Sequence, residues 1–416
     1  MMYYSFSAKT MEIAAIAEKA AKERFEKIES ICFYNQAKVL SAFAENRIGA
    51  AHLMGTTGYG YDDIGRDALD RVYARAFECE DALVRSAMSS GTHAITTALF
   101  AVLRPGDKLL AVTGKPYDTL EDVIGLNSAN NGSLKDFGIK YNQIDLADGH
   151  ADIESVKSYL EKEKVKMVHI QRSRGYEWNH NLSLLEIAKL IKAVKEVSPD
   201  TICFVDNCYG EFVDEHEPTY YGADLIAGSL IKNPGGGLAK MGGYIAGRHD
   251  LVEQAGYRIT TPATGRETGA TLYENKDMYQ GFFLAPHVVS QCMKSAVFCA
   301  ALMEQLGFQT SPTSKEERTD IVQAVKFNDP LKLIAFCRGI QKGAPIDSHV
   351  IPEPWDMPGY KDPVIMAAGA FIQGASIELS ADGPIREPYV GYMQGGLTYE
   401  SAKIGILHAA ENLLNI

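Results

Sequence analysis

The hydrophobic pattern of the chain changes near residue 83. Before it, apolar positions recur at helical spacing. After it, short apolar runs alternate with amphipathic stretches. The runs cover 83–84, 109–112, 141–144, 167–170, 202–205, 225–227 and 244–246. Runs of this length predict strands, and the periodicity between several of them predicts helices over 93–103, 153–162 and 184–197. Strands alternating with helices imply an α/β fold, with a mostly parallel central sheet flanked by helices. In such folds ligands bind beyond the carboxyl ends of the strands. The stretch 86–92, Asp206 and Lys232 each follow a predicted strand end, so one crevice can collect them.

Upstream, Ile13, Ile16, Ala17, Ala20, Ile28 and Ile31 predict an amphipathic helix over 10–32. A loop rich in Gly and aromatics follows over 55–67, then a second helix over 67–78. Downstream, 258–290 is rich in Gly and Thr and is expected to be a loop or linker. A helix is predicted over 288–306 and a final one over 401–414, with mixed α/β sequence between. The Pro-rich stretch 351–359 is expected to be an ordered loop. The resulting division is 1–60 as an N-terminal helical segment, 61–285 as a large domain and 286–416 as a smaller α/β domain.

With 416 residues the chain can bury a large core, and 46% hydrophobic with 23% charged residues is ordinary for a globular protein. A net charge of −12 argues against a general binder of nucleic acid or anionic membranes, while leaving room for a local phosphate pocket. No apolar run reaches the length of a membrane span. Met1 to Ser7 lack the pattern of a secretion signal. Seven cysteines with no CxxC pair favour reduced thiols and a cytoplasmic protein. Cys292 and Cys299 fall on one face of a predicted helix, which suggests core packing. The ten histidines form no HxxxH or HxH cluster, so no metal site is expected.

The chemistry gathers at three strand ends. The run over 225–227 delivers Ser229 and, three residues later, Lys232 into Asn233-Pro234-Gly235-Gly236-Gly237. Desolvation at the mouth of an apolar strand would depress an amine's pKa, which suits a nucleophile or base. The alternative is a surface cation beside a flexible glycine loop. A second candidate, Lys240, lies at the far end of that loop, with no strand-end serine before it. Ser90, Gly91 and Thr92 stand between a strand and a helix, where backbone N–H groups and hydroxyls suit a phosphate dianion. An ordinary N-cap explains them too. Asp206 ends the run over 202–205, placed either to pair with a heterocyclic nitrogen or to cap the next turn. Tyr117 follows the run over 109–112; its ring can stack on a planar ligand or pack on the core. A nucleotide-binding enzyme is disfavoured, because 235–243 contains no GK[ST] and Gly58-Tyr59-Gly60 does not open a helix after a strand.

In that order, Ser-Gly-Thr, Tyr, strand-Asp and Ser-x-x-Lys resemble the fold-type I enzymes that use pyridoxal 5'-phosphate (PLP). More closely, the chain is similar to the methionine gamma-lyase-like or aluminium-resistance branch of cysteine and methionine metabolism, a branch linked with cystathionine beta-lyase. The similarity runs through 58–67, 205–212, 228–237 and 380–389, and covers nearly the whole chain. It implies Lys232 as the Schiff-base lysine, Asp206 as the partner of the pyridine nitrogen, and Tyr117 as the stacking ring. It also implies Ser90, Gly91, Thr92 and Ser229 around the phosphate. Relatives carry Tyr-x-Arg near the N-terminus, reaching a neighbouring subunit's site. Here Tyr59-Gly60-Tyr61 has tyrosine at the arginine position, so either Arg66 replaces it or the phosphate is held with one charge fewer. Arg386, a planar fork, is the choice for a substrate carboxylate. The implied reaction is carbon–sulfur cleavage of a cystathionine-, cysteine- or methionine-type amino acid by β- or γ-elimination, with Lys232 or Tyr117 taking the Cα proton. The implied assembly is a homotetramer with shared sites. Aminotransfer, retro-aldol cleavage and inactive cofactor binding are the alternatives.

Overall fold

In a computed structural model, which describes residues 5–127, 131–173, 178, 182–357 and 361–416, the seven apolar runs become one sheet. Helices α1 (Ala8–Glu45) and α2 (Ile64–Ala76) lead to β1 (Asp81–Arg85). Then come α3 (Gly91–Val102), β2 (Lys108–Ala111), α4 (Asp118–Ile124), β3 (Lys140–Gln143), α5 (Ile153–Lys162) and β4 (Met167–Gln171). They are followed by α6 (Leu184–Val197), β5 (Ile202–Asp206), β6 (Leu225–Ser229), β7 (Gly243–Gly247) and α7 (His249–Ile259). The strand order is β1-β7-β6-β5-β4-β2-β3, with β7 alone running against the rest.

The two-residue period of a strand explains how this sheet is buried on both faces. Leu225 and Ala227 of β6 point into one apolar cluster with α3 and α7, while Ile226 points into the other with α2, α5 and α6. Leu225 and Ile226 are fully buried, and each burial stabilises the fold by about 2 kcal/mol. Local signals place the helices. Ser183 and Glu186 form a capping box at the start of α6, and Ser90 caps α3 by accepting from the His93 N–H.

The second half adds α8 (Asn275–Gln305), β8 (Gln309–Ser311), β9 (Val322–Lys326), α9 (Pro330–Lys342), β10 (Val364–Ala367), β11 (Ser380–Pro384), β12 (Val390–Gln394) and α10 (Tyr399–Leu414). Its strands form an antiparallel sheet in the order β10-β11-β12-β9-β8, packed on α9, α10 and the C-terminal half of α8.

Several expectations are corrected here. The first helix continues to Glu45, well past residue 32. The stretch 258–290 is not one long loop, because α8 begins at Asn275 and runs through Pro286. That proline lacks an N–H and removes one intrahelical bond. The exposed side of the same stretch is held by Gln36, whose amide donates to the Phe283 carbonyl at 3.0 Å. Of the Pro-rich loop, Ile351 to Met357 are irregular chain anchored by a bridge between Trp355 and Val364, while Pro358 and Gly359 lie outside the described residues. So do Met1 to Tyr4 of the N-terminal stretch. Among the described residues, no helix is long and apolar enough to cross a membrane.

Candidate active site

A cavity of about 520 Å³ opens at the carboxyl ends of β4, β5 and β6, closed from the other side by the antiparallel sheet. Its wall includes Ser90, Gly91, Thr92, Tyr117, Asp206, Ser229, Lys232 and Arg386. Thus the residues expected from three distant strand ends do converge, as the switch from strand to loop in a parallel sheet predicts.

Lys232 follows β6 and begins a short turn over Asn233–Gly235. The glycines after it are there for close approach. A Cβ on Gly235 would overlap the Leu230 carbonyl oxygen, and one on Gly281 of α8 would overlap the Gly235 carbonyl oxygen. The loop is therefore packed backbone to backbone against α8, and the picture of a surface cation on a flexible loop is wrong for Lys232. It describes Lys240 instead. That amine is exposed and paired with Asp277 at 2.7 Å and Glu274 at 3.2 Å.

The Lys232 Nζ sits 3.9 Å from the ring centroid of Tyr209. Its expected depression is overturned. Burial alone would lower the amine, but Cys208, Tyr209, Asp206 and Tyr117 facing it more than offset that, and it stands above the ordinary lysine value. Asp206 is buried at the tip of β5 and accepts from the Cys208 N–H at 3.1 Å. Burial pushes its carboxyl up, and Lys232 with the Cys208 N–H pull it back.

Tyr117 stands at the N-terminus of α4. Its hydroxyl donates to Thr92 Oγ1 at 2.9 Å, and Gln171 accepts from its N–H at 3.0 Å. Burial, then Asp206, raises this phenol. Across the cavity, Gly91 and Thr92 open α3, whose first N–H groups have no helical partner. A Cβ on Gly91 would lie 3.1 Å from the Ser229 Cβ and 3.2 Å from the Cys208 Sγ, so a larger residue here would crowd Ser229 and Cys208. Ser229 Oγ is buried without a hydrogen-bond partner among the described residues. A buried hydroxyl with no partner beside a helix N-terminus suits a phosphate oxygen. With an amine, a buried carboxylate and a half-buried ring around it, the donor set fits a phosphorylated pyridine aldehyde.

Two expected residues do not line this cavity. Tyr59 is 73% exposed and stacks on Tyr61, with centroids 5.5 Å apart. Arg66 is only 1% exposed. Its guanidinium donates to the carbonyls of Gly60 at 2.7 Å, Gly269 at 3.1 Å and Glu267 at 3.3 Å, and to Asp67 at 2.8 Å. It is thereby tied inside its own chain, to three main-chain carbonyls and one carboxylate. Arg386 stands at the mouth, with Nη1 3.2 Å from Asp362 Oδ2.

Sequence reasoning missed the floor of the site. Asn207 donates to Glu217 Oε2 at 2.9 Å and to the Tyr244 hydroxyl at 3.2 Å, and that hydroxyl donates to Glu211 Oε1 at 2.8 Å. Arg172 donates to Asn207 Oδ1 at 2.8 Å, and Asn233 donates to the Glu211 carbonyl at 3.0 Å. This network ties the turn after β5 to the residue next to Lys232. Cys208, Tyr209 and Glu211 were within five residues of Asp206, which is the signal that could have found them. Asp382, Tyr392 and Gln394, which complete the wall from β11 and β12, carry no such local signal.

A sequence profile of the family described as methionine gamma-lyase matches residues 10–414. The uncharacterised protein YnbB of Bacillus subtilis (strain 168) is 55% identical over 391 residues, which is 94% of this chain and 93% of that protein. A crystal structure of a carbon-sulfur lyase involved in aluminum resistance from Clostridium novyi NT shares 52% identity at a TM-score of 0.95, covering 98% of this chain and 96% of that one. The pyridoxal-5'-phosphate dependent protein YhfS from Escherichia coli, 16% identical at a TM-score of 0.64, covers 94% of this chain and 97% of its own and shares the fold. By the span of that profile match, the chain belongs to the methionine gamma-lyase family.

Proposed function

We propose that the protein is a PLP-dependent carbon–sulfur lyase acting on a sulfur-containing amino acid by β- or γ-elimination. The observation that carries this is the meeting, in one cavity, of the Lys232 amine, the buried Asp206 carboxylate and the unpartnered Ser229 hydroxyl beside the α3 N-terminus. The family and the carbon-sulfur lyase of Clostridium novyi NT support the reaction class.

Lys232 would hold the cofactor through its amine. Asp206 would face the pyridine nitrogen and keep it protonated by a charge-assisted bond. Ser90, Gly91, Thr92 and Ser229 would hold the phosphate, and Tyr117 would lie against the ring. When bound, the cofactor supplies an electron sink for the charge left at Cα. Lys232, as the free amine, would take the Cα proton, with Tyr117 as the other candidate base in its phenolate form. Arg386 would exchange Asp362 for the substrate carboxylate. The C–S bond would break with its electron pair going to sulfur, which would leave as a thiol on taking a proton handed on by Lys232, and water would complete the release of keto acid and ammonia. Exposed Tyr59 and Tyr61 support a further element of the proposal, an assembly in which this edge meets a neighbouring subunit's site, as in a homotetramer.

The experiment is a panel of cystathionine, cysteine and methionine assayed for keto acid and free thiol together. Both products are expected from at least one substrate, and none from Lys232→Ala. Keto acid without thiol would instead indicate aminotransfer. Retention of a borohydride-reducible cofactor adduct by Lys232→Ala would remove Lys232 from its role.

A further inference from the structure

We propose that Tyr209 is a positioning residue that docks the free Lys232 amine on its ring face, setting where the amine waits and how readily it yields a proton. The proposal rests on Lys232 being the cofactor's lysine and gives Tyr209 a role beside it. Three observations meet at this ring. The ammonium stands 3.9 Å from the ring centroid, inside the roughly 6 Å reach of a cation–π contact. Tyr209 has φ of 71°, a left-handed backbone that is uncommon for a bulky residue and persists where packing enforces it. That packing is present: Tyr209 lies against Val322, Ala324, Val390 and Tyr392 of the antiparallel sheet. The turn carrying it is pinned on both sides, because Asn207 and Glu211 both bond the Tyr244 hydroxyl.

A lysine that must leave and return to a cofactor has a long stem with many rotamers, and a fixed docking place confines it. The ring face attracts an ammonium and not a neutral amine. The groups facing Lys232 are Asp206 at the end of β5, Cys208, Tyr209 and Glu211 on the turn after it, and Tyr117 at the start of α4. Burial raises the Cys208 thiol, the Tyr117 phenol and the Glu211 carboxyl, the last to about 8. Among these groups, Tyr209 offers the ammonium its ring face, and Asp206 offers a carboxyl.

The test replaces Tyr209 with Phe, with Leu, and with mono-, di- and trifluorinated phenylalanine, which drain charge from the ring face while keeping its shape. The pH dependence of Lys232 acetylation is read by peptide mass spectrometry on the full chain without cofactor, with Lys240 as internal reference. The pH midpoint of the visible band is read on the cofactor-loaded protein. Tyr209→Phe is expected to leave both midpoints near the native value. Successive fluorination is expected to lower them stepwise, by about one pH unit in total, a tenfold change in acid dissociation. Midpoints that stay flat across the fluorinated series, or that move equally for Lys240, would overturn the proposal. The series keeps the shape of the side chain, so the test holds even if Tyr209→Leu fails to fold. The acetylation arm needs no cofactor, so its failure counts against Tyr209 alone, while Lys232→Ala tests the lysine assignment.

Discussion

Two lysines stand at the two ends of one glycine-rich loop. Lys232 faces a buried carboxylate, a buried thiol and an aromatic ring inside a cavity. Lys240, eight residues on, faces solvent and two surface carboxylates. Charge alone does not separate them, and spacing separates them only by the strand-end serine that precedes Lys232. The difference lies in the backbone: Gly235 lets the chain fold tightly onto Leu230 and α8, which keeps Lys232 at the strand mouth and turns Lys240 outward. A side chain's chemistry here is decided by what the neighbouring main chain permits.

The largest expected break in this contrast is Lys232→Ala, which should lower turnover by about 1,000-fold or more and abolish covalent cofactor retention. Stopped-flow or product assays and borohydride trapping would read it. Asp206→Asn should come next, with a loss of about 100-fold in kcat and weaker cofactor retention, the scale of removing one fixed electrostatic partner. Gly235→Ala should destabilise the fold by about 3 kcal/mol in urea unfolding, because the Leu230 carbonyl must move. Gly281→Ala sharpens the point: in an ordinary helix that change stabilises by about 1 kcal/mol, and here it should destabilise.

The pH dependence of stability tests the ground beneath Lys232. The Glu211 carboxyl is pushed up to about 8 by burial in the native chain, so the folded state keeps a proton that the unfolded state releases. Its contribution is therefore complete below the unfolded carboxylate range and declines as pH climbs towards 8. Urea midpoints should fall across that window in the native protein and fall less in Glu211→Gln. The smallest effect belongs to Lys240→Ala, where loss of an exposed ion pair should change stability by less than about 0.5 kcal/mol and leave turnover unchanged.

Much of this was legible in the sequence. The seven runs that became β1 to β7 carry a signal at every residue, and Ser183 with Glu186 marks the start of α6 by local chemistry alone. Asp206 and Lys232 were readable because a polar residue at or just past the end of a buried strand is conspicuous. The N-terminal turns of α8 were hidden, since Gly281 and Pro286 imitate a loop; a packed glycine and a free one look alike in sequence. The bonds of Arg66 to three main-chain carbonyls could not be seen either, because carbonyls leave no trace in residue identity. Nor could Asp382 or Tyr392 be placed in the cavity, as their nearness to Asp206 depends on how two sheets meet. The direction of the Lys232 shift was misjudged for the same reason: burial was foreseen, but the groups buried with the amine were not.

Helix α8 joins these regions in a way that sequence distance conceals. Its first turns wedge against Gly235, with Met278, Tyr279 and Phe282 in the core of the parallel sheet. Its last turns carry Phe298, Cys299 and Leu302 into the core of the antiparallel one. One rod is thus an axle shared by both halves, gripping the main chain that follows Lys232. The two cores therefore share one element, so the loop after Lys232 rests on the same helix that fills the far core at Phe298.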